Sequence, residues 1–74
     1  MNEFNYEIIQ TYGIVDTSKK GWTTEVNLIK WGSNAPKIDL RAWSPDHQKM
    51  SKGITFSKGQ LSKLIQILSQ AANS

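Results

Sequence analysis

The sequence predicts an α+β domain: a curved four-stranded antiparallel sheet followed by one C-terminal helix, assembled as a homodimer. Three observations predict it. Turn-forming residues cut the chain into four short segments rich in β-branched and aromatic residues, joined by connections short enough for an antiparallel meander. The last segment switches to a helical period behind a capping signal. Finally, the 74 residues contain no cysteine and form one small domain, residues 1–74. A domain of that size has a marginal core, and with no disulfide or thiolate metal site to compensate, a partner subunit is the remaining support.

Tyr6 to Asp16, rich in Ile, Val, Thr and Tyr, is the first predicted strand, and Gly13 inside it marks a bulge or bend. Thr17-Ser18-Lys19-Lys20-Gly21 is a polar hairpin connection, and Trp22 to Trp31 is the second strand. Gly32-Ser33-Asn34-Ala35-Pro36 is dense in breaker residues and makes the next turn. Lys37 to Ser44 is the third strand, with clean alternation. Pro45 to Ser51 is a polar loop, and Gly53 to Phe56 is a short fourth strand. Ser57 then stands three residues before Gln60, the spacing of a capping box. Leu61, Leu64, Ile65, Leu68 and Ala72 recur on one helical face, and Ile67 and Ala71 widen that stripe beyond the ~100° one sheet covers. The excess predicts a two-fold helix–helix contact, with Leu64, Ile67 and Leu68 at the dimer interface.

The third strand carries the functional signal. Ile38, Leu40 and Ala42 share one parity and predict the core face; Lys37, Asp39, Arg41 and Trp43 share the other. The second strand follows less cleanly: if Trp22, Val26 and Leu28 face the core, Thr23, Glu25, Ile29 and Trp31 face outward, and a bulge in this strand would flip part of that assignment. The expected open face therefore presents Trp31, Trp43, Arg41 and Lys37, with Lys30 and Lys52 near the strand ends. Indole rings stack on bases, and lysine and arginine neutralise phosphates, so this combination predicts single-stranded nucleic acid binding. On that reading Trp43→Ala and Arg41→Ala weaken binding and leave the fold intact. Other readings of the same residues stay open: a strand tryptophan also suits buried packing, Arg41 beside Asp39 suits an ion pair, and His47 suits an exposed loop.

Nine Lys and Arg against six Asp and Glu give a net charge of +3. This modest excess favours an acidic partner such as nucleic acid. His47 is the one histidine, and with no cysteine it does not make a zinc site; a catalytic histidine would need a nucleophile or carboxylate partner, which the sequence alone does not place. No catalytic residue, metal or cofactor is expected, and the chain reads as a non-enzyme. The polar start Met1–Glu7 carries no basic stretch of a signal peptide, and no apolar run approaches the ~20 residues of a membrane span. A cytoplasmic protein without a membrane partner is expected. The competing functional class is a protein-interaction module using the exposed aromatic face.

Lys37-Ile38-Asp39-Leu40-Arg41-Ala42-Trp43, followed by Lys52-Gly53-Ile54-Thr55-Phe56, resembles the eukaryotic transcriptional coactivator positive cofactor four. The chain is more similar to bacterial, YdbC-like members. They share Gly21-Trp22, Trp31, the run Trp43-Ser44-Pro45-Asp46-His47, Lys49-Met50 and Lys52-Gly53-Ile54-Thr55. The resemblance runs from about residue 6 to about residue 70. It implies a curved four-stranded sheet plus helix, dimerised through the helices, that binds single-stranded DNA across concave sheet faces with little sequence preference. RNA is a variant partner. By position, Arg41 and Trp43 match basic and aromatic residues of the family's DNA face, Lys52 matches the lysine before Gly-Ile, Trp31 matches an aromatic position, and Lys30 lies beside a basic one. Replication, repair, recombination and transcription are the processes such a protein serves. The eukaryotic members carry a long regulatory N-terminal tail, whereas this chain begins almost at its first strand, so a coactivator role is not expected to carry over.

Overall fold

The computed structural model describes residues 5–74. Met1–Phe4, part of the stretch expected not to be a signal peptide, lies outside the described residues. The chain runs β1 (Tyr6–Thr17), β2 (Thr23–Trp31), β3 (Lys37–Trp43), β4 (Ile54–Phe56) and α1 (Lys58–Ala72). The four strands form one antiparallel sheet in the order β1-β2-β3-β4, the meander the short connections predict. No helix among the described residues is long and apolar enough to cross a membrane. The β1–β2 turn is set by Gly21, whose φ of +86° is open to glycine and costly for other residues, and whose N–H donates to the Ser18 carbonyl at 3.0 Å.

The β1 strand departs from simple alternation. Its register against β2 shifts between Ile8 and Gln10, between Thr11 and Gly13, and between Ile14 and Asp16. Ile9, Tyr12 and Val15 are thus extra residues, and the 12 residues of β1 span the 9 of β2. The single bulge expected at Gly13 is one of three. Each bulge bends the strand and raises its twist.

The result is a sheet curled onto itself, and the side-chain distances measure the curl. Arg41 lies opposite Glu25 in the β2–β3 register. Trp31 is six positions further along β2, about 20 Å away in a flat strand. Yet the Arg41 Cζ sits 4.7 Å from the Trp31 ring centroid. Likewise Trp43, opposite Thr23, lies 5.8 Å from Tyr6, which pairs with Trp31 at the far end of the sheet. Only a strongly bent sheet brings these ends together.

This bend reverses the burial expected from parity. The register confirms that Thr23, Glu25, Asn27, Ile29, Lys37, Asp39, Arg41 and Trp43 share one face. That face, expected to be open, is the concave one and holds the best-buried residues: Trp43, Ile29, Asn27 and Asp39 are all 0% exposed. The expected core face carries Ile38, which is buried, but Leu40, Ala42, Val26 and Leu28 are only half-buried, and Ile54 is exposed. The reason is geometric. The helix touches β3 and β4 alone and covers the convex face incompletely, whereas the curl closes the concave face without a second layer.

The helix starts as predicted. Ser57 is the N-cap; its Oγ accepts from the Gln60 N–H at 3.3 Å, and the Gln60 Oε1 accepts from the Ser57 N–H at 2.9 Å. This satisfies two of the otherwise unpaired donors at the helix start. Beyond that start α1 has little support: none of its residues is buried, Leu61 and Leu64 are half-buried, and Ile65, Ile67 and Leu68 are exposed.

Candidate nucleic-acid interface

Arg41 is the centre of the concave face. Its Nε and Nη2 donate to Asp39 Oδ1 and Oδ2 at 2.7 and 2.8 Å, a two-pronged ion pair that holds the guanidinium in one plane. Asp39 is fully buried and the Arg41 side chain is 13% exposed. Nη1 reaches the Ser51 carbonyl at 3.4 Å and the Met50 Sδ at 3.2 Å. The guanidinium also covers the Trp31 ring, a cation–π contact. Gly53 makes this packing possible: a Cβ there would stand 2.5 Å from the Arg41 Cβ and 2.6 Å from the Leu40 carbonyl oxygen.

A second polar group lies behind it. Glu25 is buried and its Oε2 accepts from Thr23 Oγ1 at 2.5 Å and pairs with His47 Nε2 at 2.8 Å, while Oε1 accepts from Asn27 Nδ2 at 3.3 Å. Burial pushes the Glu25 carboxyl up, but the hydrogen bonds from Thr23, His47 and Asn27 together outweigh it and hold the group below its ordinary value near 4.5. His47 adopts a left-handed backbone at φ +58°. The loop imposes this: His47 N–H donates to the Ser44 carbonyl at 2.9 Å, Asp46 Oδ1 accepts from Ser44 Oγ at 2.7 Å and from Gln48 N–H at 3.0 Å, and Ser44 Oγ accepts from Lys49 N–H at 3.0 Å. The Gln48 and Ser44 bonds hold the Asp46 carboxyl below its usual range. The imidazole is thereby stacked over Trp43 at 5.6 Å between ring centroids.

Trp43 was expected as an exposed stacking ring, and the structure corrects this. It is the largest fully buried side chain, enclosed by Tyr6 and His47, because the loop after β3 folds back over the concave face. With Trp43 fully buried and Arg41 paired to the buried Asp39, Trp43→Ala and Arg41→Ala are expected to cost stability as well as binding. Lys30, expected to reach around from its strand end, pairs with Glu7 on the opposite face from Trp31, and its Nζ donates to the Gly32 carbonyl at 2.9 Å. Lys37 is exposed at the start of β3 and lines a groove with Lys58 and Phe56 that does not include Arg41. Trp31, Arg41 and Lys52 remain together, linked through Arg41.

Sequence reasoning placed Trp22 in the core. It lies just before β2, half-buried, and with Arg41, Met50, Lys49 and Lys52 lines an open groove of about 570 Å³. The Gly21 turn frees Trp22 from the strand alternation on which that expectation rested. No cluster of three or more metal-ligating side chains occurs among the described residues.

An uncharacterized protein of Treponema pallidum (strain Nichols) is 39% identical over 67 residues, covering 90% of this chain and 79% of that protein. The family described as Transcriptional Coactivator p15 (PC4) matches residues 18–67, which span β2, β3, the loop with His47, β4 and most of α1. Its membership supports a nucleic-acid-binding role. The chain belongs to the Transcriptional Coactivator p15 (PC4) family.

Proposed function

We propose that the protein is a non-enzymatic, single-stranded DNA-binding homodimer with little sequence preference, serving replication, repair, recombination or transcription. One observation carries the reading. Both acidic residues of the concave face, Glu25 and Asp39, are buried and paired, so the surface left around Arg41 and Trp31 is aromatic and cationic, with Lys52 and Lys49 at its rim. Such a surface offers stacking to unpaired bases and counter-charge to phosphates. Trp43 acts as the floor that fixes Tyr6 and His47. The homodimer rests on α1: Ile65, Ile67 and Leu68, with Ile54 on the convex face, are exposed apolar residues that a second copy would cover. Leu64 is half-buried at the edge of the same stripe.

The test is a fluorescence titration with single-stranded, duplex and RNA oligonucleotides at two salt concentrations. Tighter binding of single-stranded DNA than of blunt duplex is expected, and equal or tighter duplex binding overturns the reading. Lys52→Ala is expected to lower the slope of log K against log salt by about 0.7.

A further inference from the structure

We infer that the groove between Trp22 and residues 48–52 is a subsite for one unstacked nucleobase, with the adjoining phosphate held by Lys49 and Lys52. This rests on the single-strand reading above and names a residue, Trp22, that the sheet-face description leaves without a role. The three tryptophans are not equivalent. Trp43 is fully buried, and Trp31 carries the Arg41 guanidinium over its ring and Tyr6 tilted beside it at 5.3 Å between centroids. Among the described residues, Trp22 has no ring or guanidinium partner on its indole, so its π-face is open to a ligand.

The site is built in advance. Trp22 is fixed by a reciprocal pair of bonds with Ser18: its N–H donates to the Ser18 Oγ at 3.1 Å, and its carbonyl accepts from the Ser18 N–H at 2.8 Å. Across the groove, Met50 is bridged to Trp43 in the sheet and held by the Arg41 guanidinium, so the facing wall is apolar and anchored. Arg41 lines the groove while tied to Asp39, which offsets its charge and leaves a flat guanidinium face for stacking. Lys49 and Lys52 are exposed and form no close ion pair among the described residues, although Asp46 lies within reach of the Lys49 charge, and Gln48 places an amide beside them. No acidic side chain lines the groove. At about 570 Å³ it is in the range of small-ligand pockets, roughly 300–1,000 Å³, and so takes a nucleotide unit and excludes a duplex, whose bases are already stacked. A flat aromatic wall, a flexible thioether and two unpaired cations are complementary to a base with its phosphate.

The test uses the full chain and oligo-dT carrying a single 5-iodouracil, irradiated and mapped by mass spectrometry, alongside affinities for Trp22→Ala and Trp22→Phe. A crosslink at Trp22 is expected. Trp22→Ala is expected to weaken oligo-dT binding roughly 5- to 160-fold, the loss of one stacked base, and Trp22→Phe to retain most of the affinity. An oligonucleotide with an abasic position at the crosslinking site is expected to bind wild type and Trp22→Ala alike. Wild-type binding of oligo-dT with crosslinks confined to other residues, or an unchanged affinity for Trp22→Ala, overturns the subsite and leaves the single-strand reading standing. Absence of wild-type binding overturns both, and a gain of affinity for an acidic aromatic peptide at the same groove would assign it to a protein ligand instead.

Discussion

Removing the Arg41 side chain beyond its methylene stem, as in Arg41→Met, tests whether the concave face is held by a buried ion pair. Asp39 is completely buried and receives two guanidinium bonds at 2.7 and 2.8 Å. Without Arg41 its carboxylate would be left charged and unpaired in the interior. Breaking a buried pair on one side costs about 3–5 kcal/mol, whereas replacing both partners by apolar groups is often close to neutral. At ~0.05–0.15 kcal/mol per residue, a domain of this size has about 4–11 kcal/mol in total. Arg41→Met is therefore expected to remove a large part of the stability, and Asp39→Leu in the same background to restore much of it. The assay is urea unfolding of wild type, both single variants and the double variant, followed by circular dichroism. A coupling of about 2–3 kcal/mol between the two positions is expected. A loss below about 1 kcal/mol in Arg41→Met, or a double variant equal to the sum of the singles, would refute the reasoning.

Trp43→Ala opens a cavity in the best-buried site and is expected to cost about 3–5 kcal/mol in urea unfolding; a near-wild-type midpoint would mean that Trp43 is not core. Glu25 has a lowered carboxyl in the folded chain, so its contribution is full above the ordinary carboxylate range and is lost as pH falls through the lowered value. Unfolding free energy is expected to drop below about pH 5, and Glu25→Gln to flatten that acid limb; an unchanged limb would show that other carboxyls carry it. Ile67→Asp is expected to convert the protein from dimer to monomer in sedimentation equilibrium and to abolish the rise of Tm with protein concentration; a wild type that sediments as a folded monomer at micromolar concentration would refute the assembly.

The legible parts of the sequence were those with a single regular period. The β3 strand alternates cleanly, and its register with β2 places Arg41, Asp39 and Trp43 on one face as parity requires. Ser57 and Gln60 announce α1 by local chemistry alone. Burial was not legible, because parity says which residues share a face and not which face is closed. The curl comes from β1, whose bulges at every third residue replace a two-residue period by a three-residue one, so the Ile9, Tyr12 and Val15 spacing carries no alternation to read. Trp22 was missed for a related reason: it sits one residue outside the strand whose alternation was extended over it. The Arg41–Asp39 pair was visible as an alternative, and Gly53 beside them signals a close backbone approach only once Arg41 is in place.

The bulges of β1 have a bearing on what the chain does when crowded. β1 is an edge strand, and it carries Ile8, Ile9, Ile14 and Val15, all exposed, in a stretch of high β propensity. A long, flat, apolar edge is a template on which another chain can add a strand, the first step toward fibrillar deposits. Here each shift in register breaks the ladder after two or three residues, so an incoming extended segment meets donors and acceptors that fall out of phase with its own. The same irregularity that curls the sheet therefore guards its margin against polymerisation, and a variant that deletes the extra residues at positions 9, 12 and 15 would present a straight, sticky border in place of a broken one.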